Sequence, residues 1–85
     1  MTQKEMKIGV PGGLEARQVA MLVQIAGNFQ SQVYVEYNGR KVNAKSIMGM
    51  MSLGLAQGEA ITVITDGKDE DQAMKGIVEY LSGKE

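Results

Sequence analysis

Ser46 is the side chain whose surroundings best suit chemistry in this sequence. It follows Lys45 and precedes the apolar segment Ile47-Met48-Gly49-Met50-Met51, and the pattern predicts a short helix over residues 46–53. A serine at such a start commonly acts as an N-cap, accepting a backbone hydrogen bond worth ~1 kcal/mol. The position also suits phosphorylation, because a phosphate of roughly −2 charge would meet unpaired N–H groups there. Residue chemistry alone leaves both roles open.

The same predicted helix carries more apolar side chains than one buried face requires. Met50 and Leu53 are spaced to share one face, which we assign to the core, whereas Ile47, Met48 and Met51 share another. Methionine fills irregular gaps in cores, but it also recurs on surfaces that adapt to partners. Because a helix of two or three turns cannot bury every side against a one-sided sheet, we predict that the second face is an exposed apolar surface.

A second polar segment, Gly13-Leu14-Glu15-Ala16-Arg17, comes at the start of another predicted helix. An acidic side chain near a helix N-terminus interacts favourably with the helix dipole, by ~0.3–1 kcal/mol. That interaction alone would account for Glu15. Arg17 is either a solvated surface cation or a contact for a partner.

The composition limits the function classes. The chain has 85 residues, 9 Lys and Arg against 10 Asp and Glu, and neither cysteine nor histidine. No metal site or cofactor is therefore expected. A formal charge of −1 with a single phenylalanine gives no basic or stacking surface for nucleic acid. No apolar segment approaches the ~20 residues of a membrane span, so we expect one cytoplasmic domain over residues 1–85.

Periodicity predicts the elements that position these segments. Apolar residues alternate in strands and recur at helical spacing in helices. The predicted strands cover Met6–Val10, Gln32–Tyr37, Arg40–Val42 and Ala60–Thr65, and the predicted helices begin at Ala16, Ser46 and Asp69.

The turns between these elements point to the architecture. Asn38-Gly39 predicts a tight hairpin, and Asp69 followed by Gln72 predicts a capping pair. The order βαββαβα predicts an α+β fold, an antiparallel sheet covered by helices on one face.

The chain resembles the HPr family, the histidine-containing phosphocarrier proteins of the sugar phosphotransferase system, in its Gram-positive form. The segment from Val35 to Gly58, which includes Asn43-Ala44-Lys45-Ser46-Ile47-Met48-Gly49, carries most of the likeness. The resemblance implies an open-faced β-sandwich with a four-stranded antiparallel sheet and three helices on one face.

The second motif of the family departs from its pattern here. Where the family has Gly-Leu-His-Ala-Arg-Pro-Ala, this chain has Glu15 in place of the phosphorylated histidine and Gln18 in place of the proline. A carboxylate could form only a mixed anhydride with phosphate, so the carrier role is expected to be lost. The departure resembles the catabolite-repression (Crh) branch of the family, in which that histidine is also replaced. A diverged paralogue and an engineered carrier are the alternatives.

The resemblance also implies a function and partners. An HPr kinase/phosphorylase would phosphorylate Ser46, and the product would act as co-repressor for the LacI-type catabolite control protein without touching DNA. Ile47, Met48 and Met51 would supply apolar partner contacts, and Arg17 and Lys45 flanking polar ones. The protein would not be an enzyme. The chain would be a monomer, or a homodimer that exchanges its first strand at Pro11-Gly12-Gly13.

Overall fold

A computed structural model describes residues 1–83. The elements in order are β1 (Thr2–Lys7), α1 (Ala16–Gly27), β2 (Gln32–Tyr37), β3 (Arg40–Asn43), α2 (Ile47–Met51), β4 (Ala60–Asp66) and α3 (Glu70–Leu81). The strands pair in the order β1-β4-β2-β3, and all three pairings are antiparallel. Three helices cover one face of this sheet, which confirms the predicted α+β open-faced β-sandwich. Within the described residues, every helix is too short or too polar to cross a bilayer.

The core lies between the two central strands and the helices. Val33 and Val35 of β2, with Ile61 and Val63 of β4, face α1 and α3, whose inward side chains are equally buried. Ile64 points to the opposite, open face, yet it is only 6 % exposed. It is sheltered because β4 is a central strand, which places Gln3 and Tyr34 directly beside Ile64.

The hairpin after β2 forms as predicted. Asn38 and Gly39 have φ angles of 56° and 80°, the left-handed values that a type I′ turn requires. The returning strand β3 lies at the edge of the sheet and extends one residue further than predicted, to Asn43.

The first strand was placed too late in the sequence. It covers Thr2–Lys7, because the ladder to β4 ends where Lys7 pairs with Ala60. The chain then turns into the core, where Ile8 and Val10 are buried outside any strand. The Ile8 N–H donates to Glu59 O, and the Gly9 N–H donates to Leu81 O. The alternation of apolar residues therefore predicted the burial of Ile8 and Val10 correctly, but it did not predict which residues pair with β4.

The predicted capping pair of Asp69 and Gln72 is wrong. Asp69 stands at the N-cap of α3 but makes no side-chain capping bond. Its carboxylate instead accepts hydrogen bonds from the backbone N–H groups of Gln30 and Ser31 and from the Ser31 hydroxyl. The Ser31 hydroxyl and these N–H groups lower the pKa of Asp69. Asp69 therefore joins α3 to the loop between α1 and β2.

Candidate functional site

Ser46 occupies the N-cap of α2. Its backbone is extended, with φ −110° and ψ 115°, and its Oγ accepts a hydrogen bond from the Gly49 N–H at 3.1 Å. The first intrahelical bond runs from the Met50 N–H to Ser46 O at 3.0 Å. A Cβ at Gly49 would stand 3.3 Å from Ser46 Oγ, so glycine leaves room for the capping hydroxyl. The N-cap role predicted for Ser46 is confirmed.

Helix α2 divides its apolar side chains as predicted, although it is shorter than predicted. Met50 in α2 and Leu53, which lies two residues beyond its end, are buried, at 1 % and 7 % exposure. The other face is exposed, with Ile47 at 50 %, Met48 at 84 % and Met51 at 43 %. We call these three side chains the apolar surface. They adjoin Ser46 and contribute little to the core.

The C-terminal end of α2 is held by Arg40, a contact that the sequence analysis missed. The Arg40 guanidinium donates to Ser52 O at 3.2 Å and to Ser52 Oγ at 3.0 Å. Ser52 Oγ in turn donates to Gly49 O at 2.6 Å. Arginine near a helix C-terminus suits the exposed carbonyl groups there. Only the hairpin register, which places Arg40 at the start of β3, could have pointed to this contact.

Lys45, the residue before Ser46, is partly buried, and its ammonium has a partner within the chain. Nζ donates to the carbonyl oxygen of Phe29 at 2.8 Å, just beyond the C-terminal end of α1. An ammonium has three N–H donors, so two others remain for a partner protein. Lys45 thus both positions the start of α2 and lies beside Ser46.

Glu15 and Arg17 lie at the opposite end of α1. Glu15 is the N-cap residue, its side chain is exposed, and it makes no capping hydrogen bond. Arg17 is exposed in the first helical turn. Because α1 has 12 residues, its two ends are about 18 Å apart. The structure therefore places Arg17 and Lys45 toward different ends of one helix.

The loop that carries Glu15 packs against the segment that follows α2. The Leu14 N–H donates to Leu55 O at 2.9 Å. Gly13 has a φ of 78°, and a Cβ there would stand 2.7 Å from the same carbonyl oxygen. This close approach requires glycine at position 13. It connects the Glu15 loop to the α2 segment through backbone groups.

The turn between α2 and β4 is closed by Glu59. Its carboxylate accepts a hydrogen bond from the Ala56 N–H at 2.8 Å and another from the Tyr37 hydroxyl. The Ala56 N–H, followed by the Tyr37 hydroxyl, lowers the pKa of Glu59. The same bond to Glu59 raises the pKa of Tyr37. These contacts fix the turn against which the Glu15 loop packs.

Gln18, the other departure in the motif, has a buried amide oxygen. Its Oε1 has no hydrogen-bond partner among the described residues. The backbone carbonyl of Gln18 does accept a bond, from the Tyr80 hydroxyl at 3.1 Å. Burying an amide oxygen without a partner costs stability.

Residues 1–83 include no group of three or more His, Cys, Asp or Glu side chains arranged to hold a metal ion. The arrangement consists instead of a capping serine, the adjacent Lys45 and the apolar surface, whereas Arg17 lies toward the other end of α1. Such a surface can bind a protein, and its serine hydroxyl can accept a phosphoryl group.

Comparison with known proteins agrees with this fold. Residues 2–82 match the family model for the PTS HPr component phosphorylation site. The HPr-like protein Crh of Halalkalibacterium halodurans is 44 % identical over 81 residues, which are 95 % of this chain and 96 % of that protein.

Solved structures show the same relationship. HPr-C-His from Thermoanaerobacter tengcongensis superposes with a TM-score of 0.91 at 43 % identity, covering 100 % of this chain and 99 % of that one. Bacillus subtilis Crh, solved as a dimer with a swapping domain, gives a TM-score of 0.77 at 40 % identity over 100 % and 98 % of the two chains. On its family match and its likeness to Crh along nearly the whole length, the chain belongs to the HPr family.

Proposed function

We propose that this chain is a regulatory phosphoprotein of carbon catabolite repression, modified on Ser46. The observation that carries the proposal is the position of Ser46 at the start of α2, beside the exposed Ile47, Met48 and Met51. The likeness of this chain to the HPr-like protein Crh supports the same class of function. The protein would be a substrate and an effector and not itself an enzyme.

In the proposed modification, an HPr kinase/phosphorylase transfers the γ-phosphoryl group of ATP to Ser46 Oγ. The hydroxyl proton passes to a base on the kinase, and ADP leaves. The phosphoserine oxygens can accept strong hydrogen bonds from basic groups of a partner. Because the donor is ATP, we propose that the reaction takes place in the cytoplasm.

The proposed partner of the phosphorylated form is the LacI-type catabolite control protein. The apolar surface would provide a desolvated contact, and Lys45 and Arg17 would provide flanking hydrogen bonds. Because Arg17 lies about 15 Å from the far end of α1, a partner that touches both cations must extend along that helix. Such an interface involves the repressor protein and not DNA.

Glu15 argues against a phosphocarrier role. Its exposed carboxylate stands at the N-cap of α1, where the family has histidine. A phosphoryl group on a carboxylate is an acyl phosphate, whose reactivity differs from that of phosphohistidine. The charge of Glu15 also repels an incoming phosphate. We therefore propose that the protein does not take part in histidine phosphoryl transfer.

Intact-protein mass after two separate incubations tests this proposal. With HPr kinase and ATP we expect one added phosphate, mapped to Ser46. With enzyme I and phosphoenolpyruvate we expect none. Ser46→Ala should abolish the first signal, whereas Ser82→Ala, which removes the C-cap serine of α3, should leave it intact. A phosphate gained from phosphoenolpyruvate would instead support the alternative, a phosphocarrier of the phosphotransferase system.

Binding completes the test. The seryl-phosphorylated protein should bind the LacI-type repressor at least tenfold more tightly than the unmodified protein. Met48→Ala should weaken that binding, because Met48 is 84 % exposed and available for contact. Equal binding of the phosphorylated and unmodified proteins would reject the co-repressor role.

We also propose that the chain can form a strand-swapped homodimer. Bacillus subtilis Crh has been solved as a dimer with a swapping domain, and Pro11 and Gly12 follow β1 here in an exposed position. Exchange of β1 would rebuild its ladder to β4 between two chains. Light scattering across a concentration series tests this, and a mass that stays at that of one chain would exclude the dimer.

A further inference from the structure

Helix α2 holds its three methionines in two different environments. Met50 points into the core and is 1 % exposed. Met48 and Met51 point outward and are 84 % and 43 % exposed. Their spacing of three residues places both on one side of the helix. The helix therefore offers two accessible thioethers and, between them, a shielded one.

An accessible thioether can be oxidised by hydrogen peroxide. The sulfur lone pair attacks one peroxide oxygen, the O–O bond breaks, and the products are methionine sulfoxide and water. The sulfur loses two electrons and the peroxide gains them. Access of the oxidant decides the rate, so Met48 should react first and Met50 should be protected by the fold.

Oxidation would change the chemistry of the apolar surface without disturbing the core. A sulfoxide is polar, and it must be desolvated when a partner covers it. Because Met48 and Met51 stand outside the buried core, their oxidation leaves the packing of Met50 and Leu53 unchanged. The change therefore affects binding and not folding.

We propose that Met48 and Met51 form a reversible oxidation site, and that their conversion to sulfoxide detaches the apolar surface from its protein partner. The regulatory consequence rests on the function proposed above, whereas the selectivity of oxidation does not. Removal of the sulfoxide oxygen by methionine sulfoxide reductases would restore binding. The protein would thus respond to hydrogen peroxide in addition to seryl phosphorylation.

The first experiment measures selectivity and needs no partner. The full chain is treated with a graded series of hydrogen peroxide, the reaction is stopped with catalase, and peptides are quantified by mass spectrometry. Met48 should be oxidised fastest, Met51 next, and Met50 at least tenfold more slowly than Met48. In the same protein unfolded by urea the three rates should converge. Equal rates for Met48 and Met50 in the folded protein would overturn the proposal.

The second experiment measures the consequence. Seryl-phosphorylated protein is oxidised, freed of peroxide, and titrated with the LacI-type repressor. Wild type should bind roughly tenfold more weakly after oxidation and recover after treatment with the reductases. A double variant, Met48→Leu with Met51→Leu, should keep its affinity under the same treatment. Met21→Leu is the control, because it removes another exposed methionine, on α1, and should remain sensitive.

The outcomes separate the two proposals. Unchanged affinity of wild type after complete oxidation of Met48 and Met51 would overturn the regulatory site, as would equal sensitivity of the double leucine variant. If the unoxidised phosphoprotein does not bind the repressor at all, the proposed function and the regulation that rests on it are both rejected. The selectivity of oxidation is decided by the first experiment alone and does not depend on binding to the repressor.

Discussion

The ammonium of Lys45 donates a hydrogen bond to the carbonyl oxygen of Phe29 at 2.8 Å. This bond joins the residue before Ser46 to the loop that follows α1. At the other end of α2, Arg40 bonds Ser52. A helix of five residues has little stability of its own. These two contacts therefore hold α2 in place and fix the direction in which the apolar surface faces.

Replacing Lys45 tests the first of these contacts. Lys45→Met keeps most of the side-chain length but removes the donor, so Phe29 O loses its partner. We expect the free energy of unfolding to fall by about 1 kcal/mol, because the bond is charge-assisted but only partly buried. Urea denaturation measures the change. Lys68→Met, at an exposed turn position, should have no comparable effect. Equal stabilities of the two variants would show that the Phe29 contact contributes nothing.

Ser46 should contribute to stability through its acceptor oxygen. Ser46→Ala removes the bond to the Gly49 N–H and should lower the free energy of unfolding by about 1 kcal/mol. Ser46→Asp retains a capping acceptor and should stay within about 0.5 kcal/mol of wild type. Thermal and urea denaturation of the three proteins check this ranking. An alanine variant as stable as the aspartate variant would contradict the capping role.

The glycine pair before the Glu15 loop offers a matched comparison. Gly12 and Gly13 have φ angles of 80° and 78°, but only a Cβ at Gly13 would meet other atoms, at 2.7 Å from Leu55 O. Gly12→Ala should therefore lower the free energy of unfolding by about 1 kcal/mol, the cost of holding a residue with a Cβ at positive φ. Gly13→Ala should cost clearly more, because the loop must also separate from Leu55. Denaturation midpoints measure both, and equal losses would refute the close packing.

Glu70 should make stability depend on acidic pH. Its carboxylate accepts bonds from the Thr2 hydroxyl at 2.7 Å and the Gly67 N–H at 3.2 Å. These two bonds, the Thr2 contribution first, and the ion pair with the Met1 ammonium at 3.1 Å lower the pKa of Glu70 from 4.5 to about 2. Because the folded pKa is the lower one, the stabilisation is complete above pH 4.5 and is lost as the pH falls toward 2.

The comparison that checks this uses Glu70→Gln. Urea denaturation should show wild type more stable than the variant above pH 4.5, with the difference shrinking as the pH approaches 2. Glu79→Gln, at an exposed position on α3, is the control and should show no such trend. A difference between wild type and Glu70→Gln that stays constant with pH would contradict the assignment.

The sequence predicted well wherever neighbouring residues determine the outcome. The Asn38-Gly39 turn follows from local backbone preferences, and the division of α2 into buried and exposed faces follows from helical spacing. The contacts of Asp69 and Lys45 were missed because both reach residues distant in sequence, Ser31 and Phe29 respectively. The first strand was misplaced for a related reason. Burial of Ile8 is encoded locally, but the ladder to β4 ends where the partner strand ends.

The exposure of Ile47, Met48 and Met51 bears on how such proteins diverge. These side chains contribute little to the buried core, so substitutions there have a small folding cost. Substitution of Met50 or Leu53, one or two positions away, should lower stability more, because both side chains are buried. Mutation can therefore redirect the protein toward a new partner through three positions, while selection for stability acts on their immediate neighbours.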